Sequence, residues 1–117
     1  MMHRVAVFGA AGYAGLELVK LLAVHPDVEL VAAASDHHAG EPLAAATGIE
    51  SLGQAFVSTQ QARDTPCDLA FLAVPPEPAV ELARAVRAKG ARVIDLSNAH
   101  RASSVVVYGL VSLFGGE

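Results

Sequence analysis

Three glycines, Gly9, Gly12 and Gly15, separate an apolar run from a helical repeat near the start of the sequence. The run Val5–Phe8 shows no polar alternation, which is typical of a strand covered on both faces. The helical repeat continues until Pro26 interrupts it. A glycine-rich loop in this position exposes backbone N–H groups at the positive end of a helix, where a phosphate binds well.

The loop has the spacing Gly-x-x-Gly-x-x-Gly, which predicts a cradle for the pyrophosphate of a dinucleotide. The pattern alone is weak evidence, but its place between a buried strand and an amphipathic helix makes it specific. The residues predicted to contact the cofactor here are Gly9, Ala10, Ala11, Gly12, Tyr13, Ala14 and Gly15.

The rest of the sequence alternates strands with helices, which predicts an α/β fold: a Rossmann-like parallel sheet flanked by helices. Further strands are predicted at Val28–Ala34, Ala55–Ser58, Asp68–Val74 and Ala91–Leu96. The first helix should bury Ala14, Leu18, Leu21, Leu22 and His25, and the helix after Pro75 should bury Ala79, Leu82, Ala83 and Val86. Shorter helical turns are predicted near Leu43–Ala46 and Thr59–Asp64, and Gly90 is predicted to end the helix before the last strand.

Composition excludes several partner classes. The formal net charge of the 117 residues is -4, without a basic run, so neither nucleic acid nor a membrane surface is an expected partner. No apolar stretch reaches the roughly 18–20 residues that span a bilayer. The single cysteine, Cys67, and the absence of a signal-peptide pattern favour a cytoplasmic location.

The segment after the second strand contains candidates for the adenosine end of the cofactor. Asp36 lies about 20 residues after the loop, where a carboxylate accepts hydrogen bonds from ribose hydroxyls and repels a 2′-phosphate, as in NAD-specific domains. The same segment also contains Ser35, His37 and His38, whose hydroxyl and imidazoles could bind a phosphate instead. A third interpretation is that Asp36 only caps the loop. These alternatives stay open at this stage.

The ends of the two later strands should face the same crevice, because ligands bind at the carboxyl edge of such sheets. Ala73 and Pro75 are predicted beside the nicotinamide ribose, and Ser97 beside the cofactor. Asn98 and Arg101 are candidate substrate-binding residues, since an arginine can hold an anionic group bidentately. Cys67 precedes its strand at the opposite edge and is interpreted as structural. No metal site is predicted, because the adjacent His37 and His38 would point apart.

Several segments together resemble the N-terminal part of the N-acetyl-γ-glutamyl-phosphate reductase family, and aspartate-semialdehyde dehydrogenases are a close second. The resemblance is fairly specific in Gly-Ala-x-Gly-Tyr-x-Gly combined with Val-Ile-Asp-Leu-Ser. The segments that carry it are residues 5–18, 25–30, 39–43, 71–75, 93–97 and 108–110, together with Arg101.

The resemblance implies a domain that binds NADP, with NAD as the alternative, in an enzyme that reduces an acyl phosphate to a semialdehyde in arginine biosynthesis. In that family a cysteine thiolate displaces phosphate to give a thioester, and a histidine acts as acid and base. The resemblance further implies cofactor contacts from the glycine loop and from Ser35 near the adenosine ribose, and an anion-binding role for Arg101.

The sequence departs from the family pattern at two places. Pro75-Pro76-Glu77 stands where the family has Pro-His-Gly, and Asn98-Ala99-His100 precedes the arginine in place of Ala-Asp-Phe. The family's cysteine and histidine belong to a second domain, so we expect residues 1–110 to form the dinucleotide-binding domain and 111–117 a tail or the start of the catalytic domain. The chain alone is then expected to be inactive.

A different class of function is also open: a stand-alone, non-catalytic module that binds a dinucleotide or a partner. A short-chain-reductase-like epimerase is disfavoured, because neither Tyr13 nor Tyr108 has a lysine four residues later. The apolar segments Val105–Val107 and Val111–Phe114 predict a homo-oligomer, formed through this tail if it is exposed or through an uncovered face of the sheet.

Overall fold

The computed structural model describes residues 2–96, which form a parallel sheet with helices on both faces. The strands are β1 (His3–Phe8), β2 (Val28–Ala34), β3 (Leu69–Leu72) and β4 (Arg92–Asp95). The helices are α1 (Tyr13–Ala23), α2 (Leu43–Thr47), α3 (Thr59–Arg63) and α4 (Pro76–Ala88). The sheet order is β2-β1-β3-β4, so the chain builds outward on one side of β1 and then on the other. The predicted α/β class is confirmed.

Both faces of β1 are buried, as its lack of alternation predicts. Val5 and Val7 point to one face and pack in the same apolar cluster as Leu18 and Leu22 of α1. Successive side chains of a strand point to opposite faces, so Phe8 joins a second cluster that includes residues of α3 and α4. The sheet therefore separates two cores, and its carboxyl edge carries the loops that follow β1, β2 and β3.

The helix α4 matches its predicted buried stripe of Ala79, Leu82, Ala83 and Val86. Gly90 follows the helix with a φ of +90°, a conformation that a side chain would strain. The N–H of Gly90 donates to the carbonyl of Arg87, and that of Ala91 donates to Val86. This pair of bonds is the Schellman motif, which satisfies the last carbonyls and turns the chain into β4.

The second strand has the predicted bounds but contains an irregularity. Val5 pairs with Leu30 while Ala6 pairs with Ala32, so Val31 is an extra residue in β2. A bulge of this kind moves all later side chains to the opposite face. Ala33 consequently joins the core under α1, and Ala32 and Ala34 join the core under α3 and α4.

Two sequence predictions need correction. Ala55–Ser58 is not a strand: Ala55 bridges Pro42 in antiparallel fashion and Val57 bridges Ala34 in parallel, so the two residues share no continuous partner. The buried face of α1 consists of Gly15, Leu18, Val19 and Leu22. Ala14, Leu21 and His25 are only half-buried, because the helix is rotated to place Gly15 against the loop.

Candidate functional site

The glycine loop connects β1 to α1 at the carboxyl edge of the sheet. The N–H groups of Gly9 and Ala10 both donate to the carbonyl of Ala34, at 3.1 and 2.9 Å. These bonds tie the start of the loop to the end of β2. The N–H of Gly12 donates to the Gly9 carbonyl at 3.2 Å, which closes the loop into a tight turn.

Two of the three glycines are required by the protein's own packing. Gly9 has a φ of +78°, and a Cβ there would overlap the carbonyl of Ala73. A Cβ on Gly15 would overlap the carbonyl of Gly9. The loop, the start of α1 and the end of β3 are therefore in backbone contact, which leaves no room for any side chain at these two positions.

The third glycine, Gly12, has no such internal reason. It is exposed, its φ is -75°, and among residues 2–96 an added Cβ would meet only the Gly9 carbonyl, at 3.6 Å. This is an ordinary van der Waals distance, so the fold itself would accept a side chain here. A glycine at an open position that any residue can adopt is expected where a ligand must approach the backbone closely.

The N-terminus of α1 is left open. Gly12 is its N-cap residue and offers no side-chain cap, and no acidic residue lies in the first turn. The first N–H groups of a helix have no partner within the helix, and the helix dipole makes this end attractive to anions. Tyr13, the first helical residue, exposes 79% of its surface. No side chain within residues 2–96 therefore caps the backbone N–H groups at the start of α1, those of residues 13–15.

The candidate residues that follow β2 make different contacts in the structure. Asp36 accepts a hydrogen bond at Oδ1 from the Thr59 N–H, at 2.7 Å, and one at Oδ2 from the Thr59 hydroxyl, at 3.1 Å. This bonding matches the capping interpretation of Asp36, with α3 as the element that it holds. The half-buried Ser35 donates its N–H to the Val57 carbonyl, and His37 is exposed.

His38 points toward α2. Its Nδ1 lies 2.9 Å from the Glu41 carboxylate, and its ring is tilted against Phe56 at a centroid distance of 5.9 Å. His38, Glu41 and Phe56 all line a pocket of about 320 Å³ between the glycine loop and α2. The pocket is lined by Ala11, Leu16, His38, Glu41, Pro42, Ala45, Ala46 and Phe56.

The segment after β3 lies beside the glycine loop. The Ala73 N–H donates to the Phe8 carbonyl at 2.9 Å, so Ala73 stands directly next to the end of β1. Pro75 is exposed and precedes α4 as its N-cap residue. Because α1 follows β1 on one face and α4 follows β3 on the other, a crevice opens between these strand ends. The structure thus brings Gly9–Gly15, Ala73 and Pro75 to one edge of the sheet.

The remaining candidates lie elsewhere. Ser97, Asn98 and Arg101 lie outside the described residues, as do Tyr108 and the apolar segments after it. Cys67 precedes β3 at the amino edge, as predicted, and burial raises the pKa of its thiol. Within residues 2–96, no group of three or more potential ligands is placed to hold a metal ion. None of the helices in that range is long and apolar enough to cross a membrane.

Thr59 was not predicted as a partner of Asp36. The two residues are 23 positions apart, and only the folded chain brings them together. A local signal was present: Ser58 followed by a helical repeat is a typical helix start, and its Oγ accepts from the Gln61 N–H at 3.1 Å. The sequence could thus have located the start of α3 but not the carboxylate bonded to it.

Comparison with known proteins identifies the family. Residues 4–116 match the family described as semialdehyde dehydrogenase, NAD binding domain. The N-acetyl-gamma-glutamyl-phosphate reductase of Symbiobacterium thermophilum is 36% identical over 118 residues, which cover 92% of this chain and 32% of the relative. The chain thus spans about a third of the length of the curated relatives it matches.

Solved structures agree on the fold. A probable aspartate-semialdehyde dehydrogenase from Pseudomonas aeruginosa is similar with a TM-score of 0.60 and 26% identity, covering 88% of this chain and 30% of that one. Aspartate semialdehyde dehydrogenase with NADP from Candida albicans has a TM-score of 0.62 at 20% identity, covering 81% of this chain and 29% of that one. The family resemblance expected from the sequence is confirmed: the chain belongs to the semialdehyde dehydrogenase NAD-binding domain family.

Proposed function

We propose that this member of the semialdehyde dehydrogenase NAD-binding domain family binds NADP along the carboxyl edge of its sheet, as the cofactor domain of an acyl-phosphate reductase. The observation that carries the proposal is the open Gly12 beside the uncapped N-terminus of α1. Gly9 and Gly15 are explained by packing alone, whereas Gly12 is explained by close approach of a ligand. The loop therefore fits the pyrophosphate of a dinucleotide.

Each part of the crevice has a proposed role. The N–H groups of residues 13–15 bind the pyrophosphate, Gly12 gives it close access to the backbone, Ala10 and Ala11 shape the loop, and Tyr13 shields its mouth. Ser35 lies at the adenosine ribose, and the backbone of Ala73 through Pro75 runs along the nicotinamide ribose. When bound, the cofactor supplies a hydride to the substrate carbon. The protein's contribution is to hold the dinucleotide in an extended, fixed orientation across β1 and β3.

The phosphorylated cofactor is favoured over NAD by the corner after β2. A carboxylate turned toward the cofactor would repel a 2′-phosphate, but both oxygens of Asp36 are directed to the N–H and hydroxyl of Thr59. Ser35 and the exposed His37 remain available to donate hydrogen bonds to a phosphate. The similar Candida albicans enzyme was solved with NADP, which also supports this choice.

The substrate is proposed to be a small acyl phosphate, in line with the name of the curated relatives. Cys67 cannot serve as the nucleophile in the crevice, because it precedes β3 at the opposite edge of the sheet. The thiolate and the acid-base histidine are therefore assigned to the portion of the relatives' length that this chain does not match. We expect the 117-residue chain to bind the dinucleotide without reducing an acyl phosphate.

We further propose that the protein works as a homo-oligomer. Within residues 2–96, β4 lies at one edge of the sheet, its Val93 and Ile94 are only half-buried, and Val80 of the adjoining α4 is 59% exposed. An apolar edge of this kind tends to pair with another chain. Sedimentation velocity on the 117-residue chain should show a dimer or larger species, and a single monomer peak over a wide range of concentrations would contradict the proposal.

Fluorescence titration tests the cofactor proposal. We expect NADPH emission to change on binding, with a weaker response for NADH, and we expect no response for NADPH in a Gly12→Val variant that retains the wild-type melting temperature. Gly53→Ala, a substitution at an exposed glycine with nothing within 4 Å, is the matched control. If neither dinucleotide binds the wild-type chain at millimolar concentration, the proposed function is wrong.

A further inference from the structure

The corner after β2 contains two exposed carboxylates, and each of them already has a partner. Asp36 is bonded to Thr59, and Glu41 is bonded to His38. A 2′-phosphate at this corner would bring about two negative charges, and any mobile carboxylate beside it would lower its affinity. The way these carboxylates are held therefore bears directly on which dinucleotide the chain accepts.

Thr59 holds Asp36 by two donors at once. The backbone N–H donates to Oδ1 at 2.7 Å and the hydroxyl donates to Oδ2 at 3.1 Å, so each carboxylate oxygen has its own bond. Asp36 is exposed, whereas Thr59 is half-buried at the start of α3. That helix is anchored to the sheet by Ala62, which is 1% exposed. A fixed donor pair thus restrains a side chain that would otherwise rotate in solvent.

The hydroxyl of Thr59 is not needed to begin α3. Ser58 already caps this helix through its Oγ, which accepts from the Gln61 N–H. The Thr59 side chain instead donates outward, across to the residue that follows β2. Capping of α3 accounts for the bond from the Thr59 N–H to Asp36 but not for the second bond, from the hydroxyl.

We propose that Thr59 is a positioning residue for cofactor specificity: it binds the Asp36 carboxylate toward α3 and so leaves Ser35 and His37 to receive a 2′-phosphate. The inference rests on the proposed function, because it assumes that a dinucleotide binds at this edge. It assigns a role to α3, an element that does not itself need to contact the cofactor. Thr59 acts on the 2′-phosphate only through the direction of Asp36.

A Thr59→Val substitution tests the proposal, because valine keeps the shape and the backbone N–H but loses the hydroxyl. With one of its two bonds gone, the Asp36 carboxylate can rotate toward the phosphate. We expect the Kd for NADPH to rise about tenfold, while the Kd for NADH stays within about twofold. Both constants are measured by fluorescence titration of the 117-residue chain.

Three further variants make the test specific. Thr59→Ser keeps the hydroxyl and should bind both dinucleotides like the wild type. Thr65→Val removes a hydroxyl that donates to the Gln61 carbonyl at the other end of α3, and it should leave the NADPH-to-NADH affinity ratio unchanged. In an Asp36→Asn background there is no charge to restrain, so adding Thr59→Val should no longer change the ratio.

The outcomes separate this inference from the proposed function. An unchanged ratio in Thr59→Val, or an equal fall in the Asp36→Asn double variant, would overturn the inference while cofactor binding stands. A wild-type preference for NADH would overturn both the NADP assignment and the inference, and a lack of binding to either dinucleotide would overturn the proposed function as well. Should Thr59→Val not fold, Asp36→Asn alone decides: a carboxylate already directed away from the 2′-phosphate predicts an NADPH-to-NADH affinity ratio within about twofold of the wild type, and a rise of about tenfold or more would overturn the inference.

Discussion

The helices α1 and α3 both begin at the carboxyl edge of the sheet, but their N-termini are treated in opposite ways. The start of α3 is closed by two side chains, since Ser58 accepts from Gln61 and Asp36 accepts from Thr59. The start of α1 has a glycine as its N-cap, no side-chain cap and no acidic residue in its first turn. Capping by a side chain typically stabilises a protein by about 1 kcal/mol, so α1 lacks a contribution that α3 has.

The difference shows that the carboxyl edge of the sheet carries one helix start with a structural role and another with a binding role. Where the protein supplies its own acceptors, the helix start is a finished part of the fold. Where it leaves N–H groups unpaired beside a glycine, the missing acceptor is expected from a ligand. Substitutions at the two helix starts test this contrast.

The largest effect is expected at the base of the α1 loop. Gly15→Ala would drive a Cβ into the Gly9 carbonyl, so the loop or the helix must shift. We expect the free energy of unfolding to fall by about 3 kcal/mol or more, measured by urea denaturation. Gly53→Ala, where nothing lies within 4 Å, should change it by less than about 0.5 kcal/mol. Equal stability of the two variants would refute the packing explanation of Gly15.

A second substitution makes α1 resemble α3. Gly12→Asp adds a side-chain cap at a residue whose φ of -75° suits an N-cap aspartate. We expect the free energy of unfolding to stay equal or rise by up to about 1 kcal/mol, while NADPH affinity falls about a hundredfold. The loss follows from both the bulk and the charge of the new carboxylate. Retained NADPH affinity in this folded variant would mean that the pyrophosphate does not bind at α1.

The converse change removes the side-chain cap from the N-terminus of α3. Ser58→Ala removes the acceptor of the Gln61 N–H and should lower the free energy of unfolding by about 1 kcal/mol, measured by urea denaturation. Ser51→Ala, at an exposed serine outside the helices, is the matched control and should change it little. Cofactor affinity should follow the wild type in both variants, because the contrast assigns Ser58 to folding alone. A larger loss in affinity than in stability would argue against that assignment.

The smallest effect concerns the amino edge, away from both helix starts. The pKa of Asp68 is lowered, first by the hydrogen bond from the Arg4 N–H and then by that from the Arg4 side chain. A carboxyl with a lowered pKa in the folded protein stabilises it above its unfolded pKa, near 3.8, and this contribution is lost as the pH falls through the folded value.

Melting temperatures between pH 6 and pH 3 test this point. The wild type should lose stability on acidification more steeply than Asp68→Asn, which lacks the titrating group. Glu50→Gln, which removes another exposed carboxylate and leaves the Arg4–Asp68 pair in place, is the charge-matched control. Parallel profiles for the wild type and Asp68→Asn would show that the Arg4 interaction does not contribute to acid stability.

Much of the fold follows from local sequence signals. The bounds of β2, the buried stripe of α4 and the left-handed Gly90 were all predictable, because periodicity and helix-end residues are local properties. The bulge at Val31 was not, because a register shift depends on how two strands pair. The burial of Val19 likewise depends on the rotation that brings Gly15 against Gly9.

The candidate site divides along the same line. The glycine loop was predictable from the sequence because its chemistry lies within seven consecutive residues. The orientation of Asp36 was not, because three interpretations fit the sequence and the Thr59 bond comes from a distant segment. His38 was considered together with Ser35 and Asp36, yet it turns to Glu41 and Phe56 once α2 is in place. Long-range pairing therefore determines the part of the site that neighbours in sequence cannot define.

Backbone amide NMR with added NADPH tests the central claim most directly. We expect the largest chemical-shift changes at the amides of Gly12, Tyr13, Ala14 and Gly15, with a second group at Ser35 and Ala73. The amides of Cys67 and Asp68, at the opposite edge, should stay unchanged. An absence of shifts at millimolar NADPH, or larger shifts at the amino edge than in the glycine loop, would contradict a dinucleotide site at the open start of α1.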